Sequence, residues 1–250
     1  MQIRRLTWCG LEIGADGTTM VVDLLGHTPA LSQWAGPPRE ELLAPARPAG
    51  TVAAAAVTHE HSDHLDVEAL RWALSPGAPV FCPRATAAKI TAAGLTARGI
   101  EEWETVRFDS LTIQAVPAVD GLGAAQVSWL ISHHGRRVIH CGDTLWHGYW
   151  WQIAERCGSI DVAFLPINGV CVDFDDLQPP SGVPAVLTPS QAAAAAAVLG
   201  AREATPIHYG TFNKAPGYIS VPDAVNEFLV EAGRRGIAAH ELHPGDEVEL

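Results

Sequence analysis

Lysine is nearly missing from this 250-residue chain. Lys89 and Lys214 are the only two, and every other basic side chain is arginine. Basic residues number 16 against 28 acidic, for a formal net charge of −12. That balance argues against a nucleic-acid partner held by a basic surface, because phosphate binding needs clustered cations. It leaves room for a local cationic site made by bound metal. Cysteine is sparse too: Cys9, Cys82, Cys141, Cys157 and Cys171 are odd in number and contain no C-x-x-C pair. A disulfide framework is therefore not expected, and reduced thiols fit a cytoplasmic address. No apolar run approaches the roughly 18 residues that cross a bilayer. The segment Met1–Trp8 also lacks the apolar stretch of a signal peptide, so no membrane partner is expected.

What the chain does have is a large apolar fraction, 48%, beside 18% charged residues, enough for a sizeable core. No linker or shift of composition divides it, so residues 1–250 read as a single domain. Short strands are expected at 2–8, 11–14 and 19–24, separated by Gly10 and the Ala15-Asp16-Gly17 turn. Residues 25–50 are broken by prolines and glycines and read as a loop covering a site. A buried strand at 52–57 follows, then a helix at 66–74, a strand at 78–82 and a helix at 84–93. Strands at 101–108, 110–117, 125–132 and 136–141 come next. The last two flank a His133-His134 hairpin tip expected to face solvent. A helix from Trp146 to Cys157, strands at 161–166 and 204–207, helices ending at Leu199 and near 233, and two terminal strands complete the pattern. Meanders that pass into strand–helix units in two successive halves predict two sheets face to face with helices outside.

The densest chemistry lies directly after the 52–57 strand, in Thr58-His59-Glu60-His61-Ser62-Asp63-His64-Leu65-Asp66. Three imidazoles and a carboxylate within one turn suit a divalent transition metal, and packing them together without a cation is costly. Other strand ends carry similar residues: Asp120 after Val116-Pro117-Ala118-Val119, Asp143 after Cys141-Gly142, and His208 after Pro206-Ile207. Several strand ends that deliver ligands to one rim form a common way of building a site.

These motifs, in this order, resemble those of the metallo-β-lactamase-fold hydrolases: His59-Glu60-His61-Ser62-Asp63-His64 for HxHxDH, Gly142-Asp143-Thr144, and the late His208. Leu165-Pro166-Ile167-Asn168-Gly169 and Pro206-Ile207-His208-Tyr209-Gly210-Thr211-Phe212 further resemble the ascorbate-6-phosphate lactonase-like branch. The resemblance implies an α/β fold, a four-layer αββα sandwich, with two divalent metal ions (zinc or manganese, with iron as an alternative) at one edge. It implies His59 and His61 on the first metal, Asp63, His64 and His208 on the second, and Asp143 between them. The family's further first-site histidine is replaced here by Asp120, a harder donor that shifts preference toward manganese or iron.

Around that set, Asp23 is expected to orient a ligand histidine. Asn168, Tyr209 and Lys214 are expected near the substrate. Asp63 and His147 are the expected catalytic groups, His147 as proton donor or, equally, as a polar helix-start residue. His140 and the tryptophans at 146, 150 and 151 read as core packing. The implied activity is hydrolysis of a small-molecule substrate, first a lactone or other small ester, by metal-activated hydroxide. The alternatives are a small or lipid phosphodiester and, from another class, di-iron redox chemistry. A homo-oligomer stays open.

Overall fold

The computed structural model describes residues 1–250, apart from the side chains of Pro29 and Ala30. The first half of the chain forms β1 (Gln2–Arg5), β2 (Leu11–Ala15), β3 (Thr18–Val22), α1 (Pro29–Ala35), β4 (Ala54–Ala56), α2 (Val67–Ala73), β5 (Pro79–Pro83), α3 (Ala87–Ala92) and β6 (Thr96–Ile100). The second half forms β7 (Thr105–Phe108), β8 (Leu111–Pro117), β9 (Val127–His133), β10 (Arg136–His140), α4 (Trp150–Cys157), β11 (Ile160–Pro166), β12 (Cys171–Val172), α5 (Pro189–Leu199), β13 (Ala201–Ile207), β14 (Tyr218–Ile219), α6 (Ala224–Arg234), β15 (Ala238–Ala239) and β16 (Glu247–Glu249).

One seven-stranded sheet has the order β16-β1-β2-β3-β4-β5-β6, and a second has β15-β13-β11-β10-β9-β8-β7. Each begins as an antiparallel meander and turns parallel where helices cross over, at β3–β4–β5–β6 and at β10–β11–β13–β15. Strands covered on both faces read as unbroken apolar runs, which is why Ala54–Ala56 and Ile160–Pro166 are wholly buried. Trp8, Phe81, Trp129 and Phe164 pack between the sheets. Helices α4, α5 and α6 cover the outer face of the second sheet through Trp150, Ile153, the α5 alanines and Phe228. Helix α2 covers the first through Ala69, Leu70 and Ala73. The result is the expected αββα sandwich.

Local signals set the helix ends. Thr188 and Gln191 form a capping box at α5, which stops at the left-handed Gly200. Asp66 caps α2 by accepting from Ala69 N at 3.0 Å, and its other oxygen takes the Gly26 and His27 amides. That second contact pins the start of the 25–50 segment beside the histidine turn.

Several expectations change. Strand β6 was not anticipated, because it alternates partly exposed residues at the edge of its sheet and lacks an apolar signature. Helix α4 begins at Trp150 rather than Trp146, since His147 Nδ1 takes the Tyr149 amide and holds the preceding turn out of the helix. Trp146 and Trp151 are 38% and 57% exposed, so only Trp150 of the three is core. At the β9–β10 tip, His134 is exposed but His133 is buried. His140 is buried as expected, its Nε2 2.7 Å from Cys9 O.

Candidate metal centre

Strands β3, β4, β10 and β13 end at one edge between the sheets, and the site is built on those ends. Asp23, φ 45°, follows β3 and is fully buried. Its Oδ1 accepts from Thr58 N at 2.8 Å, and its Oδ2 meets Thr58 Oγ1 at 2.7 Å and His64 Nδ1 at 2.8 Å. Asp23 thus sits on the ring nitrogen opposite Nε2, the contact through which a carboxylate orients a ligand histidine. Gly142 makes this arrangement possible: it has φ 65°, and a Cβ there would sit 3.0 Å from Thr58 Oγ1. The loop carrying Asp120 packs more tightly still, since a Cβ on Gly121 would run into the Ala185 carbonyl.

The ligand-type side chains fall into two adjoining groups. His59, His61, Asp120 and Asp143 form one, and Asp63, His64 and His208 form the other, with donor atoms in each within 4.8 Å of one another. Asp143 faces both: Oδ1 lies 3.6 Å from His59 Nε2, and Oδ2 lies 3.9 Å from His64 Nε2 and 4.0 Å from His208 Nε2. Asp63 Oδ2 lies 3.5 Å from His64 Nε2 and 3.4 Å from His208 Nε2. Asp120 Oδ1 lies 3.5 Å from His61 Nδ1, while its Oδ2 is held by the Leu122 and Ala124 amides at 2.9 and 2.7 Å.

Burial and mutual charge spread the protonation of this cluster widely. Burial pushes His59 well below the usual histidine range, reinforced by the neighbouring His64, and takes His208 down to about 4. Burial and the adjoining carboxylates push Asp143 well up. Burial is the largest single influence on Asp63 and Asp23 and opposes their ionisation, but the charge and hydrogen bond of His64, with hydrogen bonds from His208 to Asp63 and from Thr58 to Asp23, together outweigh it and hold both below the usual carboxylate range. His64 itself is raised by those partners despite burial. Meanwhile His64 Nε2, His208 Nε2 and Asp120 Oδ1 are buried without a hydrogen-bond partner. Each such atom costs about 1–3 kcal/mol if nothing fills the space. Imidazole nitrogens and carboxylate oxygens left unpaired and convergent fit a divalent metal.

A cavity of about 850 Å³ opens onto His61, Asp63, Asp143 and His208. Trp34 from α1 and Phe174, with ring centroids 5.0 Å apart, supply part of its wall. Both lysines of the chain line it. Lys89 Nζ is 3.4 Å from Glu60 Oε2, and Lys214 Nζ donates to Gln33 O at 2.5 Å. The 25–50 segment thus contributes to the cavity, as its proline-broken pattern led us to expect.

The β-lactamase superfamily domain model matches residues 25–209. This chain belongs to that family. It is a metal-dependent hydrolase of the metallo-β-lactamase fold. A relative called UPF0173 metal-dependent hydrolase, from Rubrobacter xylanophilus, is 30% identical over 205 residues, covering 77% of this chain and 76% of the relative. The mitochondrial N-acyl-phosphatidylethanolamine-hydrolyzing phospholipase D of Saccharomyces cerevisiae is 28% identical over 197 residues, covering 71% of this chain but only 40% of the relative. By fold alone, the crystal structure of CmlA, a diiron β-hydroxylase from Streptomyces venezuelae, superimposes with a TM-score of 0.78 at 17% identity, over 100% of this chain and 54% of that one. The names of these superfamily members do not reach the narrower lactonase branch.

Three expected site residues lie elsewhere. His147 is not among the residues lining the cavity: its ring stacks on Trp150 at 4.2 Å, its Nδ1 holds the Tyr149 amide, and burial lowers it to about 4. The expectation of a proton donor is replaced by that of a buried neutral ring. Tyr209 turns away too, because its hydroxyl lies between Arg5 and Glu241 at 2.7 and 2.8 Å. Asn168 reaches the cavity only through Tyr218, donating to its hydroxyl at 3.0 Å. Asn168 and Tyr209 line a separate cavity of about 370 Å³.

Two contributors escaped the sequence reading. Trp8, φ 64°, donates from Nε1 to Asp63 Oδ2 at 3.2 Å and packs its ring 3.9 Å from His208. The sequence pattern predicts a strand through residue 8, but the chain turns there, with Leu6 N bonded to Gly10 O. Gln126, with its amide oriented to satisfy its neighbours, donates to Asp143 Oδ1 at 2.6 Å and His59 Nδ1 at 3.1 Å. Neither residue carries a motif. Gly10 was the one local hint of the turn.

Proposed function

We propose that this enzyme hydrolyses a small ester, with a lactone as the first substrate class, at a centre of two divalent metals held by His59, His61, Asp120, Asp143, Asp63, His64 and His208. The observation that carries the reading is the cavity of about 850 Å³, lined both by His61, Asp63, Asp143 and His208 of the donor set and by the aromatic rings of Trp34 and Phe174. That volume and lining suit a drug-sized molecule rather than a polymer. When bound, such metals supply Lewis acidity and an acidified water.

The chain's own residues arrange the rest. Asp23, itself braced by the Thr58 hydroxyl, holds His64 through Nδ1, and Gln126 donates to Asp143 Oδ1, so that this part of the donor set is preorganised. Trp8 steadies Asp63 by donating to its Oδ2. Lys214, which lines the cavity, would take an anionic group on the substrate. Trp34 and Phe174 bury its apolar part. Asp173, Asp175 and Asp176 on the same wall repel polyanions, which disfavours nucleic acid.

Two other readings have specific support. A lipid phosphodiester is favoured by the yeast relative's name. Di-iron chemistry is favoured by three carboxylates, Asp63, Asp120 and Asp143, in the donor set, which soften selectivity toward harder metals. Metal analysis of protein purified without added metal, paired with lactone, ester and phosphodiester panels, separates them. Lactone or ester turnover with zinc or manganese is the expected result. Turnover of phosphodiesters alone, or iron with a visible absorption band and no hydrolysis, overturns it.

A further inference from the structure

At the opposite end of the same strands, hairpin tips from the two sheets meet. Asp16, φ 48°, stands at the β2–β3 tip, and His133-His134-Gly135-Arg136 forms the β9–β10 tip. From these tips β3 runs toward Asp23 and β10 toward Asp143, so a strand length, about 20 Å, separates them from the metal centre. The left-handed first position of such a tight turn usually takes Asn, Asp or Gly. Here it takes His134, φ 47°, whose ring centroid lies 4.1 Å from that of His133.

Both imidazoles aim Nε2 at one carboxylate oxygen. Asp16 Oδ2 lies 2.9 Å from His133 Nε2 and 3.4 Å from His134 Nε2, and the three donors lie within 4.8 Å of one another. Ligand bonds of about 2.0–2.1 Å in a tetrahedral site put donor atoms about 3.3 Å apart, a spacing these two distances bracket. The His133 side chain is 8% exposed and fixed, whereas those of His134 and Asp16 are 77% and 56% exposed and leave a solvent side where water can complete coordination. The arginines that follow are drawn away: Arg136 pairs with Asp161 at 3.1 Å, and Arg137 Nη1 donates to Cys157 O at 2.8 Å.

We propose that Asp16, His133 and His134 form a second metal site, distinct from the hydrolytic centre, for a late first-row divalent cation such as zinc or copper. Two imidazoles and one carboxylate select that class over magnesium or calcium. An ion there ties the two sheets together at the end remote from the cavity.

The test uses protein that retains its own metals, freed of loosely held ions, beside His134→Ala and Asp16→Asn. Zinc titration by calorimetry is expected to show one additional equivalent in the unaltered protein. Its affinity falls at least tenfold in either variant, and hydrolytic turnover stays within twofold. Zinc is also expected to raise the melting temperature of the unaltered protein only. Copper(II) added to the same proteins should give a paramagnetic resonance spectrum with two nitrogen couplings, reduced to one by His134→Ala. Equal zinc uptake by all three proteins, or uptake only at millimolar zinc, overturns the proposal and leaves Asp16 and His133 as a hydrogen-bonded clasp. Both changed side chains are largely exposed, and circular dichroism checks folding. His134→Gln replaces the alanine variant if that one unfolds.

Discussion

Two strand ends reach the same edge of the sandwich with similar residues and use them differently. After β4, the turn from Thr58 to Asp66 commits nearly every polar side chain to the centre: His59, His61, Asp63 and His64 face it, and Thr58 and Asp66 brace it. After β13, the chain alternates. His208 faces inward, Tyr209 turns out to Arg5 and Glu241, Thr211 donates to Glu40, and Lys214 comes back to the cavity. The difference lies in partners rather than residue type. Side chains whose polar atoms are satisfied by neighbours are structural, while His64, His208 and Asp120 each keep a buried atom unpaired and available.

The sharpest way to break this contrast is on the unpaired side. Asp143→Ala, and separately Asp63→Ala, should lower kcat/KM about a thousandfold or more in a metal-replete assay, since each removes donor charge at the centre. Retention of full activity would sink the two-group geometry. Chelation should act next most strongly. Stripping tightly held metal forfeits about 4 kcal/mol and should lower the melting temperature by about 10 °C in a thermal scan. An unchanged melting point would mean the unpaired atoms are met some other way. Asp23→Asn should weaken metal binding about 10- to 100-fold, measured by competition with a chromophoric chelator, because His64 loses the acceptor that orients it.

On the satisfied side, effects should be small on activity and visible in stability. Tyr209→Phe should leave kcat/KM within about twofold while costing about 1 kcal/mol in denaturant unfolding, through loss of the Arg5 and Glu241 bonds. A large kinetic loss would return Tyr209 to the substrate site. His147 gives the finest test: its buried Nε2 is unpaired too, but the ring stacks on Trp150 away from the cavity and the other ligand-type groups. Burial lowers its folded pKa to about 4, below the ordinary 6.5, so the unfolded chain takes the proton first. The native state loses stability as pH falls from about 6.5 toward 4, and above 6.5 this contribution is constant. His147→Phe should make the stability profile less steep in that window, which His208 and His59 share, read by urea unfolding at several pH values, without changing turnover at pH 7.

The sequence determined a great deal by itself. The HxHxDH turn, Gly142-Asp143-Thr144 and His208 named the donor set, and apolar runs between turn signals located most strands, because ligand identity and buried periodicity are written locally. The tertiary structure alone decided which polar residues stay unpaired. Whether Tyr209 meets substrate or Arg5 depends on β1, 204 positions away, and the buried His133 finds its carboxylate partner, Asp16, on the other sheet. Trp8 and Gln126 reach the centre through a left-handed turn and a loop that carry no motif. A side chain's type sets what it can bind. Its partner is set by packing between segments distant in the chain, and that choice decided which of these histidines and carboxylates were left for metal.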